Sequence, residues 1–467
     1  MAKYELSLQT DFDEFVRSIK EGIEQRSSTV SLEEESTLSV ENIRIHVVAY
    51  ERYAFVGGNR SSLNVTFVGA DGTVHLIATA TGGSSARFIK INTWSESSFL
   101  DTLIFAANDY MRDNILSRSL SAAAKTSLMN SPSFTQKGDA MPAFYPYIDL
   151  HCDTLPRALS QKQETLFALS DTMTDVKKLR EGHCLAQCFA IFLPPLPYVQ
   201  KADDYPGDEA YIDALHRIFV RTAELHGDVF TRVETAEDLS LLPSSGKLGG
   251  ILTMEDGRAV QGSFENLKHF YDMGVRILAL LWNHANCFGA PNSPDPKIMN
   301  TGLTDFGKEA VGYMEELGMG IDVSHLSDGG FWDVVRLSKK PFFATHSNCR
   351  ALNPHPRSMT DEMIRALADK GGVMGINFCP AFLYEDVSRE DAGIDGIAAQ
   401  LRHRINVGGL ECAAVGTDFD GIGGKLEIPD ASFMPHLFEE LERRGFTADE
   451  LEHIAYRNTA RVLNDIL

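Results

Sequence analysis

The sequence lacks long hydrophobic runs, an excess of positive charge and a regular cysteine pattern. No segment approaches the roughly 20 apolar residues that a membrane-spanning helix needs, so we do not expect an integral membrane protein. The 467 residues carry a formal net charge of -22, which opposes binding to nucleic acid and to anionic membrane surfaces. We therefore expect neither a nucleic acid nor a membrane as a partner.

Cysteine is scarce and scattered along the chain. The seven cysteines include one close pair, Cys184 and Cys188, but no second pair at the spacing of a zinc finger. We interpret them as reduced, mostly buried residues. The N-terminal residues Met1 to Glu5 lack the apolar core and the cleavage site of a secretory signal, so we expect a cytoplasmic protein.

The composition is that of a soluble globular chain, with 43% apolar and 23% charged residues, and the length is sufficient for two or three domains. We predict a small α+β domain of unknown role over residues 1–115, a linker over residues 116–142 and a larger domain over residues 143–467. The linker is indicated by small and polar residues with a proline.

Residues 1–115 show helical periodicity first, then strand-like alternation. The predicted elements are a helix, two strands, a hairpin and a second helix: Asp11–Glu24, Thr29–Thr37, Ile43–Ala49, Leu63–Val68 with Val74–Ala80, and Ser98–Tyr110. Asp71-Gly72 between the hairpin arms is a strong turn signal. The pattern contains no cluster of metal-ligating residues, so it indicates no function for this domain.

After residue 146, short apolar runs alternate with longer amphipathic stretches, as in repeated βα units. The eight candidate strands are Tyr147–Leu150, Cys184–Phe192, Gly249–Met254, Val275–Leu281, Gly320–Val323, Pro341–Ala344, Gly372–Phe378 and Ala413–Gly416. Eight such units in about 320 residues predict a (β/α)8, or TIM-like, barrel with insertions. A doubly wound open sheet is the alternative.

Five of these strands are followed at once by a histidine or a carboxylate. The residues are His151 and Asp153 after the first strand, Glu255 after the third, His325 after the fifth, His346 after the sixth and Asp418 after the eighth. Because a barrel brings the carboxyl ends of its strands together around one opening, we expect these six side chains to meet. Residues two apart in a strand point to the same face, which places His151 beside Asp153.

Three histidines and three carboxylates favour a borderline metal such as zinc. Because a single catalytic zinc takes about three protein ligands, two ions about 3.5–4 Å apart would use the set better. Such a pair yields a hydroxide nucleophile near neutral pH and polarises the carbonyl or phosphoryl oxygen under attack. The residues alone therefore predict metal-assisted hydrolysis at a binuclear site.

The same segments resemble the membrane dipeptidase, or renal dipeptidase, family of zinc metallopeptidases over about residues 146–467. The motifs that carry the resemblance are His151-Cys152-Asp153, Met254-Glu255-Asp256-Gly257, Asp322-Val323-Ser324-His325, Thr345-His346-Ser347 and Gly416-Thr417-Asp418-Phe419-Asp420-Gly421. Each motif alone is weak, but their order and spacing together are highly specific. The resemblance implies a barrel with two Zn²⁺ ions that cleaves dipeptides.

The resemblance assigns a role to each metal-site residue by position. His151 and Asp153 bind one zinc, Glu255 bridges both ions, and His325 and His346 bind the second. The nucleophile is a hydroxide that bridges the metals.

Asp418 matches the family's general acid, which protonates the leaving amine, and such a group must lie near the metals without being a ligand. Asp420 is its closest rival.

The family also binds the free carboxylate of its substrate with an arginine. Arg357 lies at the matching distance after His346, and Arg350 is the alternative. A planar guanidinium suits a carboxylate better than an ammonium does.

Two positions depart from the family pattern. Where better-known members have a histidine that helps to hold the scissile carbonyl, strict register gives Trp282, and His284 follows two residues later. We keep His284 as a candidate substrate contact. Cys379 stands where a tyrosine often lines the pocket, which leaves the substrate preference open.

Two other functions compete with a dipeptidase. The first is a metal-dependent amidohydrolase or lactonase that acts on a small non-peptide substrate, because fold alone does not select a substrate. The second is a non-catalytic binding protein, which the intact set of ligands disfavours. The resemblance also allows a homodimer, which the sequence neither supports nor excludes.

Overall fold

The computed structural model describes residues 2–26, 30–40, 43–53, 60–70, 72–83, 103, 107, 110, 145–195, 199, 205–386 and 389–467. The chain separates into two compact units, Met1–Lys137 and Gly138–Leu467. This division falls within the predicted linker, residues 116–142, which lies outside the described residues. No helix among the described residues combines the length and the apolar character that crossing a membrane requires.

The first unit contains a five-stranded antiparallel sheet and a helix, Phe12–Arg26. The strands are β1 (Ala2–Gln9), β2 (Val30–Val40), β3 (Ile43–Tyr53), β4 (Arg60–Ala70) and β5 (Thr73–Gly83), in the order β1-β5-β4-β3-β2. Phe15 and Ile19 of the helix are fully buried, as are Leu63 and Val65 of the sheet. The burial of alternate strand residues and of one helix face explains why this sequence forms a two-layer unit.

Most of the predicted elements of this unit are present, and the observed strands are longer than predicted. Strand β1 was not predicted, although Tyr4, Leu6 and Leu8 pack against the core at strand spacing. Most of the predicted helix Ser98–Tyr110 lies outside the described residues, but Leu103, Ala107 and Tyr110 are helical and buried.

The second unit is a closed barrel of eight parallel strands, which confirms the (β/α)8 prediction and excludes the doubly wound sheet. The barrel strands are β6 (Tyr147–Cys152), β7 (Cys184–Phe192), β9 (Leu248–Glu255), β10 (Val275–Ala279), β11 (Gly320–Asp322), β12 (Phe343–Ala344), β13 (Val373–Ile376) and β15 (Ala413–Val415). They follow one another in the order β10-β11-β12-β13-β15-β6-β7-β9, and pairing of β9 with β10 closes the ring. All eight were predicted because strands buried on both faces appear as short apolar runs.

In the part of this unit that the structure describes, three short strands lie outside the ring: β8 (Phe230–Arg232), which pairs with the start of β9, and the pair β14 (Asp391–Ala392) and β16 (Lys425–Leu426). The α-helices whose bounds the structure describes are Thr154–Ser160, Val176–Glu181, Asp208–Leu225, Ala236–Ser245, Phe264–Met273, Pro296–Met299, Asp305–Leu317, Asp328–Leu337, Asp361–Asp369, Pro380–Leu383, Ile394–Gly408, Met434–Arg443, Ala448–Glu452 and Asn458–Ile466. Several begin at a hydroxyl cap, as Thr304, Ser327 and Thr360 accept the backbone N–H three residues later.

Two glycines allow the strands to approach closely beneath the barrel opening. A Cβ atom on Gly375 or on Gly416 would lie within 2 Å of the carbonyl oxygen of Thr345. Only glycine fits at both positions, because any side chain would push β13 or β15 away from the end of β12. The residues that follow β12 and β15, His346 and Asp418, both lie beside the ring of His151.

Candidate active site

The carboxyl ends of the barrel strands bring the six predicted side chains together. His151 lies on β6 and Asp153 directly follows it, Glu255 ends β9, and the other three lie two or three residues beyond β11, β12 and β15. All six are buried: His151, Asp153, Glu255, His325, His346 and Asp418. Buried ionisable side chains are uncommon unless they pair or bind a metal, so the cluster has a specific chemical role.

Glu255 lies at the centre of the cluster, and its two oxygens face different histidines. Oε2 is 3.5 Å from Nε2 of His151. Oε1 is 2.9 Å from Nε2 of His325 and 3.5 Å from Nε2 of His346. Glu255 thus contacts all three predicted histidines, with His151 at one oxygen and His325 and His346 at the other.

His151 connects the two halves of the cluster. Its Nε2 atom is 3.8 Å from Oδ1 of Asp153 and 3.8 Å from Oδ1 of Asp418. Its ring stacks on that of His346, with centroids 3.8 Å apart. The donor atoms of His151, Glu255 and His346 lie within 4.8 Å of one another, and so do those of His151, Asp153 and Asp418.

The residues fit a bound cation. Nε2 of His151 and Oδ1 of Asp153 are buried and have no hydrogen-bond partner among the described residues, which is costly unless another group binds there. Burial disfavours the charged form of His151, but the carboxylates of Glu255 and Asp153 outweigh it and raise its pKa well above the usual value. The carboxylates therefore favour positive charge at this point, which a divalent metal would supply.

The other two histidines are held in the neutral form that a metal ligand needs. Burial lowers the pKa of His325 to about 4, and it lowers the pKa of His346 well below the usual value. Nδ1 of His325 lies 3.1 Å from Oδ1 of Asn283. If Nδ1 carries the proton and donates it to this amide oxygen, the lone pair of Nε2 faces Glu255.

Asp418 lies beside the histidines but keeps one oxygen turned away from them. Its Oδ2 accepts a 2.8 Å hydrogen bond from Nδ2 of Asn377, while Oδ1 faces His151. Burial raises the pKa of Asp418 to about 7, and the nearby carboxylates of Asp153 and Glu255 act in the same direction. A carboxyl group with this pKa can both release and accept a proton near neutral pH.

Asp420, the rival of Asp418, points into a structural hydrogen-bond network. Its carboxylate accepts from Oγ1 of Thr154 at 2.7 Å, from the backbone N–H of Met173 at 2.6 Å and from that of Thr174 at 3.2 Å. These bonds occupy both oxygens and fix the loop that contains Met173. Asp420 is thus committed to the loop, whereas Asp418 faces the cluster.

Arg357 is buried at the edge of the cluster. Its Nη1 donates to Oγ of Ser347 at 2.7 Å and its Nη2 to the carbonyl of His346 at 2.8 Å. Its Nε has no partner among the described residues. Arg350 is bound elsewhere, because both its terminal nitrogens pair with the carboxylate of Asp328 at 2.7 and 2.8 Å.

The two positions that depart from the family pattern lie differently. His284 is exposed, and its ring centroid is 6.1 Å from that of Trp282. Trp282 lies nearer the cluster, with its ring 6.2 Å from His325 and 5.2 Å from Phe192. Cys379 is half-buried, and burial raises the pKa of its thiol to about 11, so it stays neutral at physiological pH.

Sequence reasoning missed Asn283 and Asn377, which orient His325 and Asp418. Both stand in loops after barrel strands, and asparagine in a loop is usually interpreted as a turn residue. A signal was present, since each follows an apolar strand at the same end of the barrel as the six predicted residues. The contacts of Asn283 with His325 and of Asn377 with Asp418 could not be predicted, because they depend on which strands are neighbours in the barrel.

Comparisons with known proteins agree with this fold. The family model described as membrane dipeptidase (peptidase family M19) matches residues 136–466, and that of a family of unknown function, DUF6054, matches residues 1–111. An uncharacterized dipeptidase of Schizosaccharomyces pombe is 31% identical over 331 residues, which cover 68% of this chain and 80% of that protein.

Two solved structures are also similar to the second unit. One is a metallo peptidase from Rhodobacter sphaeroides, liganded with a phosphinate mimic of the dipeptide L-Ala-D-Ala. The two sequences are 26% identical, the TM-score is 0.64, and the matched region covers 69% of this chain and 99% of the Rhodobacter chain. The metallo peptidase named dipeptidase AC is 27% identical with a TM-score of 0.63 and covers 69% of this chain and 98% of that one.

Proposed function

Because the chain belongs to the membrane dipeptidase family, peptidase family M19, and is therefore a metallo-dipeptidase, we propose that it cleaves dipeptides with two Zn²⁺ ions and Asp418 as general acid. The observation that carries the proposal is the position of Glu255, whose two oxygens face different histidines. Imidazole and carboxylate donors in a buried cluster suit zinc.

The donors divide into two sets. His151 and Asp153 would hold one zinc, His325 and His346 the other, and Glu255 would be shared between them. Bound zinc supplies activated water as the nucleophile and polarises the peptide carbonyl. Neutral His325 and His346 and anionic Glu255 are already in the protonation states that this role requires.

Arg357 would bind the α-carboxylate of the dipeptide. A buried guanidinium with an unpartnered Nε supports this role, because it leaves a charged donor available for an anion. Its bonds to Ser347 and to the carbonyl of His346 hold the group in place before substrate binds. This fixed distance between carboxylate and metal site would favour substrates with one peptide bond.

Asp418 would give a proton to the leaving amine. Its pKa of about 7 supports this role, and Asn377 fixes one oxygen so that the other faces His151. Proton transfer by such a positioned group typically contributes a factor of about 10² to 10⁴ in rate. His284 stays a prediction as a substrate contact, and its exposure places it at the rim rather than among the buried donors.

The location and assembly of the protein belong to the same proposal. All seven cysteines are free, and five of them are buried. This state supports a reducing compartment such as the cytoplasm. A homodimer stays a prediction.

Hydrolysis of dipeptides and of their C-terminal amides tests the substrate. We expect turnover of free L,L- or L,D-dipeptides and a large loss with the matching amides, because the amides cannot pair with Arg357. Equal turnover of both, or turnover only of small amides and lactones without a carboxylate, would instead favour the amidohydrolase or lactonase alternative.

A further inference from the structure

Two buried aspartates that are not candidate metal ligands make the same pair of hydrogen bonds to a threonine that follows the neighbouring strand. Asp149 accepts the backbone N–H of Thr417 at 2.9 Å and its hydroxyl at 2.7 Å. Asp322 accepts the backbone N–H of Thr345 at 2.9 Å and its hydroxyl at 2.5 Å. We call these two Asp–Thr pairs the clamps.

Each clamp joins two adjacent barrel strands just below the cluster. Asp149 lies on β6 and Thr417 follows β15, while Asp322 ends β11 and Thr345 follows β12. All four residues are at most 3% exposed. Because a buried carboxylate is costly unless it is hydrogen-bonded, its retention in the barrel indicates a role in fixing geometry.

The threonine of each clamp immediately precedes a residue of the cluster. Thr345 precedes His346, and its hydroxyl lies 2.8 Å from Nδ1 of that histidine. Because this hydroxyl gives its only proton to Asp322, it accepts the Nδ1 proton of His346. Nε2 of His346 is then unprotonated and faces Glu255, which is the tautomer that a metal ligand needs.

Thr417 precedes Asp418 and controls its backbone. The Thr417 hydroxyl donates to Asp149 and accepts the N–H of Phe419 at 3.2 Å, so Asp418 is fixed on both sides. Asp418 has a φ of 63°, a left-handed conformation that is unfavourable for most residues with a side chain, although aspartate adopts it more readily than most. The clamp offsets this strain and directs the carboxyl group toward His151.

We propose that Asp322–Thr345 is a positioning device for metal binding and that Asp149–Thr417 is a positioning device for proton transfer. This inference rests on the proposed function, because it assigns separate effects to residues that act through His346 and Asp418. The clamps are alike in burial and location, and each carboxylate also accepts a backbone N–H two residues further along the chain, that of His151 at 3.3 Å for Asp149 and that of Ser324 at 2.9 Å for Asp322. Because these additional bonds go to the aspartates, removal of a threonine hydroxyl leaves them in place, and we assign the effect of each substitution to the residue that follows the threonine.

The test compares Thr345→Val and Thr417→Val in the full chain, since each substitution removes the hydroxyl and keeps the bulk. Thr253→Val is the matched control, because Thr253 is buried on β9 and its Oγ1 has no partner in the part of the chain that the structure describes. Zinc affinity is measured by competition with a chelating dye, and kcat and KM are measured at saturating zinc.

We expect Thr345→Val to weaken the binding of at least one zinc ion by about 10- to 100-fold, with activity recovered at excess zinc. We expect Thr417→Val to keep both affinities and KM but to lose about 100-fold in kcat. Thr345→Ser and Thr417→Ser restore the hydroxyl and should recover most of each loss.

Equal changes in both valine variants, or changes no larger than in Thr253→Val, would overturn the assignment. A valine variant that does not fold even with zinc would also overturn it, in favour of a purely structural role. Wild-type protein that binds no zinc or cleaves no dipeptide would contradict the proposed function itself, which separates the two failures.

Discussion

Arg357 donates a 2.8 Å hydrogen bond from Nη2 to the main-chain carbonyl of His346. The candidate carboxylate-binding residue is thus attached directly to the backbone of a candidate metal ligand. Burial lowers the pKa of Arg357, although Asp418 opposes this shift, and the usual value is so high that the group remains charged. The position of the guanidinium relative to His346 is therefore fixed by hydrogen bonds within the protein.

Replacing this guanidinium should weaken substrate binding. We expect Arg357→Lys to reduce kcat/KM for dipeptides by about 10² to 10³, mainly through KM, because losing one partner of a buried charged hydrogen-bond pair costs about 2–5 kcal/mol. Steady-state kinetics on a dipeptide and on its C-terminal amide measure the effect. Arg350→Lys is the comparison, because Arg350 pairs with Asp328 and donates to the carbonyls of Pro356 and Ser358 on either side of Arg357, so this variant measures the effect of disturbing that loop alone. An equal loss in both variants would rule out the assigned role.

Removing the acid function of Asp418 should impair chemistry without removing metal. We expect Asp418→Asn to lower kcat by about 10² to 10⁴ while zinc content is unchanged. Asp420→Asn is the comparison: it weakens acceptors for Met173 and Thr174 and should cost about 1–3 kcal/mol of stability but little of kcat. Metal analysis, kcat and thermal unfolding of both variants distinguish the roles. A loss of kcat in Asp420→Asn, together with a loss of stability but not of kcat in Asp418→Asn, would identify Asp420 as the acid.

The pKa of Asp418 also predicts how the stability of the metal-free protein depends on pH. The folded protein keeps this proton up to about pH 7, whereas an unfolded chain loses it near pH 4. Because the folded state binds more protons in this window, the contribution of Asp418 to the free energy of unfolding falls as pH rises from about 4 to about 7. Burial raises the pKa of Asp153 to about 6. Its contribution to the free energy of unfolding therefore also falls as pH rises, over the narrower range from about 4 to about 6.

Urea unfolding of chelated protein at pH 5 and pH 7.5 measures this dependence. His325, with a pKa of about 4, acts in the opposite sense, so the informative quantity is the difference between wild type and Asp418→Asn. We expect the wild type to lose more stability than the variant between the two pH values. Identical losses of stability in the wild type and in Asp418→Asn would show that Asp418 does not keep its proton in the folded protein.

Much of the barrel and its cluster was predictable because both depend on local patterns. Short apolar runs mark strands that are buried on both faces, and a polar residue directly after such a run must lie at the barrel opening. The position of Glu255 at the barrel opening was predicted in this way, as was that of His346, which stands two residues beyond its strand. Strand lengths were less predictable: Gly372–Phe378 was predicted, whereas the strand covers Val373–Ile376.

The supporting contacts were not predictable, because they depend on which strands are neighbours. Asn283 follows β10 but orients His325, which follows β11. Asp149 and Thr417 are 268 positions apart in the sequence and meet only because β15 pairs with β6. One clue was present in the sequence: a threonine stands directly before both His346 and Asp418.

Zinc removal and restoration test the central claim most directly. Purified protein is assayed on a panel of dipeptides as isolated, after chelation and after zinc is returned, with metal content measured each time. We predict two zinc ions per chain, loss of dipeptide hydrolysis on chelation and its return with zinc. Hydrolysis that persists in zinc-free protein would contradict the metal mechanism, and two bound zinc ions without turnover of any dipeptide would contradict the substrate.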